Sequence, residues 1–514
     1  MGFWSFYFFA KIGAFCAGFI GLHLWQNLAF ALFVALPTGG RRWLRIAKQI
    51  VAVPVGIALA YYDSWLPPWR RIVAQWDQLS SFSSSYLLEL IGRFINPQFV
   101  LALFLGLLLY WLLSRKLRLS SFAILALLLA PWLGRLTGAV APAAPVVAAA
   151  GPQAVASSTQ DLNAMLDAFH AREQQRKLHI VKPADDNTPF DIILLQICSL
   201  AWDDLAYVNA REHQLLSHFD VRFDNFSSAA SYSGPAAIRL LRSTCGQSPH
   251  EKLYAPAPPE CTLMDQLEAA GFTRQWAMNH DGVYGDMRSD IIDRGHVGAT
   301  LFPLGGLQPM LRAFSGDPYF RDYDVLSAWW KKRLASNAPR VALYYNTGTL
   351  HDGNHFLDGS KPNTQESYRR RVQTLFGDIE HFIADINASG RRAVVVMVPE
   401  HGANVRGDRL QISGLRELPS PAIALIPVGV RLVGRPQEPT IAVPQPTSLF
   451  GLSSLLAGFI ASNPYAATAP ALSDYVRAVP ETEFVAENGD TVVMRANGRY
   501  WMRGADHKWA EYLP

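Results

Sequence analysis

Charge is what this sequence has least of. Only 17% of its 514 residues are Asp, Glu, Lys or Arg, against about 25% in an average soluble protein, while half are apolar. A chain so rich in apolar residues can bury a core, which argues against intrinsic disorder. The formal net charge is +4 and no basic stripe runs along the sequence, so nucleic acid is not an expected partner. Four cysteines in this length exclude a disulfide scaffold. No internal repeat is present. Length alone allows about three domains at roughly 150 residues each.

The shortage of charge is uneven. Five apolar runs with almost no acid lie at 4–22, 24–37, 44–62, 97–114 and 119–137. Each reads as a helix crossing a membrane, which takes about 20 apolar residues; the second is short, and its boundary with the first, around His23 and Gln26, is the least distinct. Arg41, Arg42, Arg45 and Lys48 cluster at the junction of the second and third runs, and Arg115, Lys116 and Arg118 lie between the fourth and fifth. Basic residues in short loops stay on the cytoplasmic side. The N-terminus is then inside, and everything after residue 137 is outside, together with the loop carrying Trp65, Pro67, Pro68 and Trp69. The first run has no basic start and no cleavage site ahead of a soluble domain, unlike a signal peptide. The expected organisation is a membrane domain of about five helices over 1–137, an Ala/Pro-rich linker over 138–159 and a globular domain over 160–514.

In the globular part, near-continuous Ile, Leu and Val runs at 190–197, 340–345 and 393–398 predict strands buried on both faces of a mostly parallel sheet. Helical patterns at 161–177, 236–242, 263–270 and 366–386 alternate with them, so the fold class is α/β. Asn488 with Gly489, and Asn497 with Gly498, mark hairpins near the end. The apolar stretch 447–460 has only about 14 residues and reads as a core helix rather than a sixth span.

Sites in such sheets gather beyond the carboxyl ends of strands. Cys198 closes the first predicted strand. His351, Asp352 and His355 follow the second; Glu400 and His401 follow the third. Ser231, Tyr232, Ser233, Gly234 and Pro235 immediately precede a helix. A thiolate, a carboxylate and an imidazole are ligands that zinc accepts, and a tetrahedral ion leaves one position that Ser233 could fill. At a helix start, unpaired N–H groups and the dipole favour an alkoxide or a phosphate. The chemistry this suggests is covalent: Ser233 attacks a phosphodiester, and an acceptor hydroxyl then takes the group from the phospho-serine. Singly, each residue has a plainer reading, as a core thiol, a helix cap or a surface pair; the joint occurrence at strand ends carries the signal. Cys16 is isolated. Cys245 and Cys261 are close enough in sequence to close a short loop, which leaves Cys198 as either a metal ligand or an inert buried thiol.

Four blocks make the chain familiar: Ile-Cys-Ser-Leu-Ala-Trp at 197–202, Ser-Tyr-Ser-Gly-Pro-Ala-Ala-Ile-Arg-Leu-Leu-Arg-Ser-Thr-Cys-Gly-Gln at 231–247, Leu-His-Asp-Gly-Asn-His at 350–355 and Val-Pro-Glu-His-Gly-Ala-Asn at 398–404. Together they resemble the bacterial cellulose phosphoethanolamine transferase family, and the resemblance covers nearly the whole chain. It implies an alkaline-phosphatase-like outer domain in the periplasm, anchored in the inner membrane beside cellulose synthase subunits. It implies phosphatidylethanolamine, a membrane lipid, as donor and the 6-hydroxyl of glucose units in cellulose as acceptor. It places zinc on Cys198, Ser233, Glu400 and His401, sets Tyr232, His351 and Arg416 in the active site, and pairs Cys245 with Cys261 in a disulfide. His351 would protonate the leaving group or deprotonate the acceptor, Arg416 would hold a phosphate oxygen, and His355 would support its neighbour. No second complete set of metal ligands is seen. Two other readings are weighed: a related enzyme acting on lipid A, whose usual zinc site resembles Glu, Thr, Asp and His rather than this set, and a non-catalytic scaffold of the synthase, against which the intact site residues speak.

Overall fold

Two compact units emerge from the computed structural model: Met1–Trp76 with Leu88–Val155, and Asp77–Leu87 with Ala156–Pro514. The structure describes residues 2–17, 20–64, 97–117, 119–137, 159–183, 188–298, 300–360, 362–408, 410–504 and 507–513.

In the first unit the apolar runs form the helices Trp4–Cys16, Leu24–Ala35, Arg42–Asp63, Pro97–Ser114 and Leu119–Thr137. Among the described residues, only Arg42–Asp63, with 22 residues, is long and apolar enough to cross a membrane by length and composition. Leu24–Ala35 has just 12 residues, so five complete crossings do not follow from these helices. Polar side chains at the helix ends satisfy one another instead of facing an apolar surround. Asp63 pairs with Lys11 and accepts from Asn27 Nδ2 at 2.7 Å and from the His23 backbone N–H at 3.0 Å. The loop with Trp65 to Trp69, Arg118 and most of the expected linker lie outside the described residues.

Among the described residues, the second unit holds fifteen strands: β1 (Asp191–Cys198), β2 (Val221–Ser227), β3 (Thr273–Met278), β4 (Pro309–Arg312), β5 (Pro318–Phe320), β6 (Val341–Thr347), β7 (His355–Phe356), β8 (Ala393–His401), β9 (Leu425–Val433), β10 (Ile441–Val443), β11 (Thr447–Ser448), β12 (Val485–Asn488), β13 (Thr491–Ala496), β14 (Arg499–Arg503) and β15 (Trp509–Glu511). The main sheet has the order β10-β2-β9-β8-β1-β6-β3, with β11 also against β2. β1 runs parallel to β8 and β6, so the carboxyl ends of these three strands lie side by side. β9 is antiparallel to both β8 and β2, which makes the sheet mixed.

Every residue of β1, β6 and β8 is buried, because alternate side chains feed two separate cores. Ile192 and Leu194 join one, packed by the helix Ser233–Leu241 and by Leu452, Leu455 and Leu456 of the mostly buried helix Leu449–Ala461. Ile193, Leu195 and Ile197 join the other, under the helices Asp322–Leu334 and Thr364–Ala388.

β12 to β15 form a separate antiparallel sheet. Asn497 and Gly498 both take positive φ between β13 and β14, the backbone that a two-residue hairpin demands. Val485, Val492 and Met494 of this sheet pack on Leu162, Leu166 and Phe169 of the helix Thr159–Gln175, so that helix is folded into the unit. Glu487 of β12 pairs with Arg239 of the helix Ser233–Leu241 at 3.0 Å and with His170 at 3.3 Å. Its N–H donates to the Ala229 carbonyl, in the loop ahead of that helix. Cys245 and Cys261 form a disulfide across 16 positions, a closure of a size that stabilises by ~3 kcal/mol.

Candidate active site

Successive residues of a regular strand point to opposite faces, so Glu400 and His401 would ordinarily diverge. They do not, because the register of β1 on β8 shifts at its end. Ile197 faces Pro399 and Cys198 faces His401, which leaves Glu400 as an extra residue. A bulge of this kind re-aims side chains. β8 also continues through His401 rather than ending before it, contrary to the strand expected over 393–398. The result is that one Sγ, one carboxylate oxygen and one imidazole nitrogen, from Cys198, Glu400 and His401, lie within 4.8 Å of one another, all three residues buried.

Ser233 completes the group. It is the first residue of the helix Ser233–Leu241, entered from an extended Tyr232. Its Oγ lies 3.1 Å from Cys198 Sγ and 3.4 Å from His401 Nε2. His401 Nδ1 lies 2.9 Å from the Gly402 carbonyl. A carbonyl only accepts, so the proton sits on Nδ1 and the Nε2 lone pair faces the hydroxyl. Glu400 Oε1 accepts from Asn346 Nδ2 at 2.6 Å. Its Oε2 is buried with no hydrogen-bond partner among the described residues, a costly state for a lone carboxylate oxygen.

Without a cation Cys198 and His401 favour their neutral forms. Burial, reinforced by the Glu400 charge, pushes the Cys198 thiol up to about 12. Burial also raises Glu400 and holds His401 well below the usual imidazole range. A thiol held protonated beside a carboxyl oxygen and an imidazole lone pair is a donor set that gives up its proton on taking a metal ion.

Of the remaining predicted residues, His351 and Arg416 lie close enough for their charges to bear on His401, whereas His355 is exposed in a separate three-stranded sheet. His351 stacks on Phe314, with 4.7 Å between centroids. Its Nδ1 donates to the Asp352 carbonyl at 2.7 Å, which leaves an Nε2 lone pair. Burial, then the charge of Arg416, brings its pKa down to about 4. Arg371 holds the loop, donating to the carbonyls of His351 at 2.6 Å and Thr349 at 2.9 Å. Arg416 is buried and lies over the Tyr232 ring, 5.4 Å from its centroid, and its charge reaches Cys198, Glu400 and His401. The Tyr232 hydroxyl donates to Glu417 Oε1 at 2.8 Å. His355 belongs to β7, in register with Arg312 of β4. Sequence reasoning passed over Ser199, whose Oγ lies 3.1 Å from Cys198 Sγ, and over Asn346, Glu417 and His280. For Asn346 a signal existed: a polar residue directly after the apolar run 340–345.

A family model described as Cellulose biosynthesis protein BcsG C-terminal domain matches residues 147–509, and one for the BcsG N-terminal domain matches residues 4–132. The Cellulose biosynthesis protein BcsG of Escherichia coli (strain K12) is 36% identical over 542 residues, covering 99% of this chain and 96% of the relative. Its counterpart from Salmonella typhimurium (strain LT2) is 37% identical over 543 residues, with the same coverage. Among solved structures, the C-terminal periplasmic domain of EcEptC from Escherichia coli is 16% identical and has a TM-score of 0.44, covering 64% of this chain and 96% of its own. Both family models and the full-length similarity point the same way: the chain belongs to the BcsG family of cellulose biosynthesis proteins.

Proposed function

We propose that this chain is a zinc-dependent transferase that moves phosphoethanolamine from phosphatidylethanolamine to the 6-hydroxyl of glucose units in cellulose, working from the bacterial inner membrane with its second unit in the periplasm and beside the cellulose synthase subunits. The observation that carries this reading is the convergence of Cys198, Ser233, Glu400 and His401 at the start of a helix.

The donor set fits zinc: one sulfur, one imidazole nitrogen with its lone pair turned inward, the carboxylate oxygen that Asn346 does not engage, and a hydroxyl. When bound, zinc would supply positive charge that keeps the thiol ionised, eases loss of the Ser233 proton and offsets negative charge gathering at phosphorus. Ser233 Oγ forms a bond to phosphorus while the bond from phosphorus to the diacylglycerol oxygen breaks, and the serine proton ends on that oxygen. The backbone N–H groups of the first helical turn receive the phosphate oxygens, and Arg416 offers paired N–H donors from the other side. A cellulose hydroxyl then bonds to phosphorus, the Oγ–P bond breaks, and the hydroxyl proton passes to the Nε2 lone pair of His351.

His351→Ala is expected to slow the second half-reaction ~10²–10⁴-fold. Because neutral His351 is the working form and its pKa is about 4, this histidine should cost activity only as pH falls through that value. A His351-dependent loss already near pH 6.5 in a rate–pH profile would overturn its role as base.

Gly234 bears on substrate approach. A Cβ there would meet Asp290 Oδ2 at 3.6 Å, an ordinary contact, and its φ is not positive. Nothing in the fold demands glycine. Gly234→Ala should therefore keep or slightly raise the melting temperature, by at most ~1 kcal/mol of stability, yet cut transfer ~10²-fold by displacing the incoming phosphate. A stable variant with full turnover would remove glycine from the approach path.

The reading as a whole is tested by solid-state NMR of extracellular cellulose. Wild-type cells should yield polymer carrying phosphoethanolamine, and a Ser233→Ala strain should yield polymer without it. Unmodified polymer from the wild type would overturn the acceptor assignment.

A further inference from the structure

We propose that His280 and Asn346 position Glu400 through a one-way hydrogen-bond relay that begins at a backbone N–H. The inference rests on the reading of Cys198, Glu400 and His401 as metal ligands. The Gly282 N–H donates to His280 Nδ1 at 3.1 Å. A backbone N–H can only donate, so Nδ1 accepts and the ring proton belongs on Nε2. Nε2 lies 3.1 Å from Asn346 Oδ1. That contact sets the amide orientation, and Nδ2 then faces Glu400 Oε1 at 2.6 Å. The second amide N–H reaches Tyr344 Oη at 3.4 Å, and that hydroxyl donates to Gln196 Oε1. Turning the amide over would set donor against donor at His280 and acceptor against acceptor at Glu400.

The relay is buried throughout, with His280 at 8%, Asn346 at 1% and Glu400 at 0% exposure, so water does not substitute for any link. The His280 ring stacks on Tyr319 at 5.0 Å, which fixes its plane. Glu400 thus has one oxygen engaged by the amide, and the other left for the group formed with Cys198 and His401. Residues that orient a ligating carboxylate in this way govern metal affinity without touching the metal. His280 and Asn346 are positioning residues.

The test uses the full chain in detergent, with Zn²⁺ competed against a chromophoric chelator and with Co²⁺ substituted for its absorption spectrum. Wild type should bind close to one Zn²⁺ per chain. Asn346→Leu should bind it about 10–100-fold more weakly and shift the ligand-field bands of Co²⁺, while the thiolate-to-cobalt band from Cys198 persists. His280→Leu should weaken binding in the same direction. His280→Gln, which carries an N–H at similar reach, should restore it, an outcome that loss of packing alone does not give. Melting of the metal-free proteins checks the fold, and if Asn346→Leu does not fold, the His280 pair decides. Wild-type affinity and an unshifted cobalt spectrum in Asn346→Leu would overturn the relay, as would equal losses in His280→Leu and His280→Gln. A wild type that binds no Zn²⁺ would overturn the metal reading itself.

Discussion

Ser233→Ala is expected to reduce transfer to background, a loss on the order of 10⁴-fold or more, as removal of a covalent nucleophile does. The reason is position. Ser233 Oγ is the hydroxyl placed against both Cys198 Sγ and His401 Nε2, at the first residue of a helix in which the Ser233 and Gly234 N–H groups precede the first helical bond, from the Ala236 N–H to the Tyr232 carbonyl. Ser231 is two positions earlier and buried, and the Tyr232 hydroxyl is engaged by Glu417. Intact-protein mass spectrometry after incubation with a short-chain phosphatidylethanolamine should show one phosphoethanolamine adduct, mapped to Ser233. Ser231→Ala should still form it. An adduct on any other residue, or full turnover in Ser233→Ala, would show that the covalent route is wrong.

Cys198→Ala should strip the metal. The thiol lies at the centre of the group, 3.1 Å from the serine hydroxyl, and is the one sulfur donor in it. Its loss should lower zinc affinity by more than the ~10–100-fold expected of a residue that only supports a ligand, and activity should fall with it. Elemental analysis of the purified chain should find about one zinc in wild type and far less in the variant; equal zinc in both would remove Cys198 from the site. A peptide map should find Cys198 as a free thiol, since Cys245 and Cys261 are bonded to each other.

Much of this arrangement was legible in the residues, and the parts that were not have a common cause. β1, β6 and β8 could be read because burial on both faces leaves an unbroken apolar run, a local property. The mixed character of the sheet could not, since it depends on β9 running antiparallel between β2 and β8, and direction leaves no trace in composition. The bulge at Glu400 exists only relative to β1; from β8 alone the pair Glu400 and His401 looks divergent. His280 sits 66 positions before Asn346, and Asn346 sits 54 before Glu400, so no spacing rule joins them. The apolar runs of the first unit were visible as helices, but the start beside His23 is marked by a polar contact with Asp63 that hydropathy does not show. The family resemblance was carried by the Ser-Gly-Pro block, whose length makes it specific.

The clasp of the last sheet on the helix Thr159–Gln175 has a consequence in time. The loop ahead of Ser233 takes its support from Glu487, whose N–H bonds to Ala229 and whose carboxylate holds Arg239 from 248 positions later. The helix that opens the unit likewise waits for Val485, Val492 and Met494 before it has a surface to lie on. As the chain is synthesised, Ser233 therefore appears long before the parts that brace it. A chain interrupted ahead of Val485 carries every proposed ligand and lacks the residues that brace the loop ahead of Ser233.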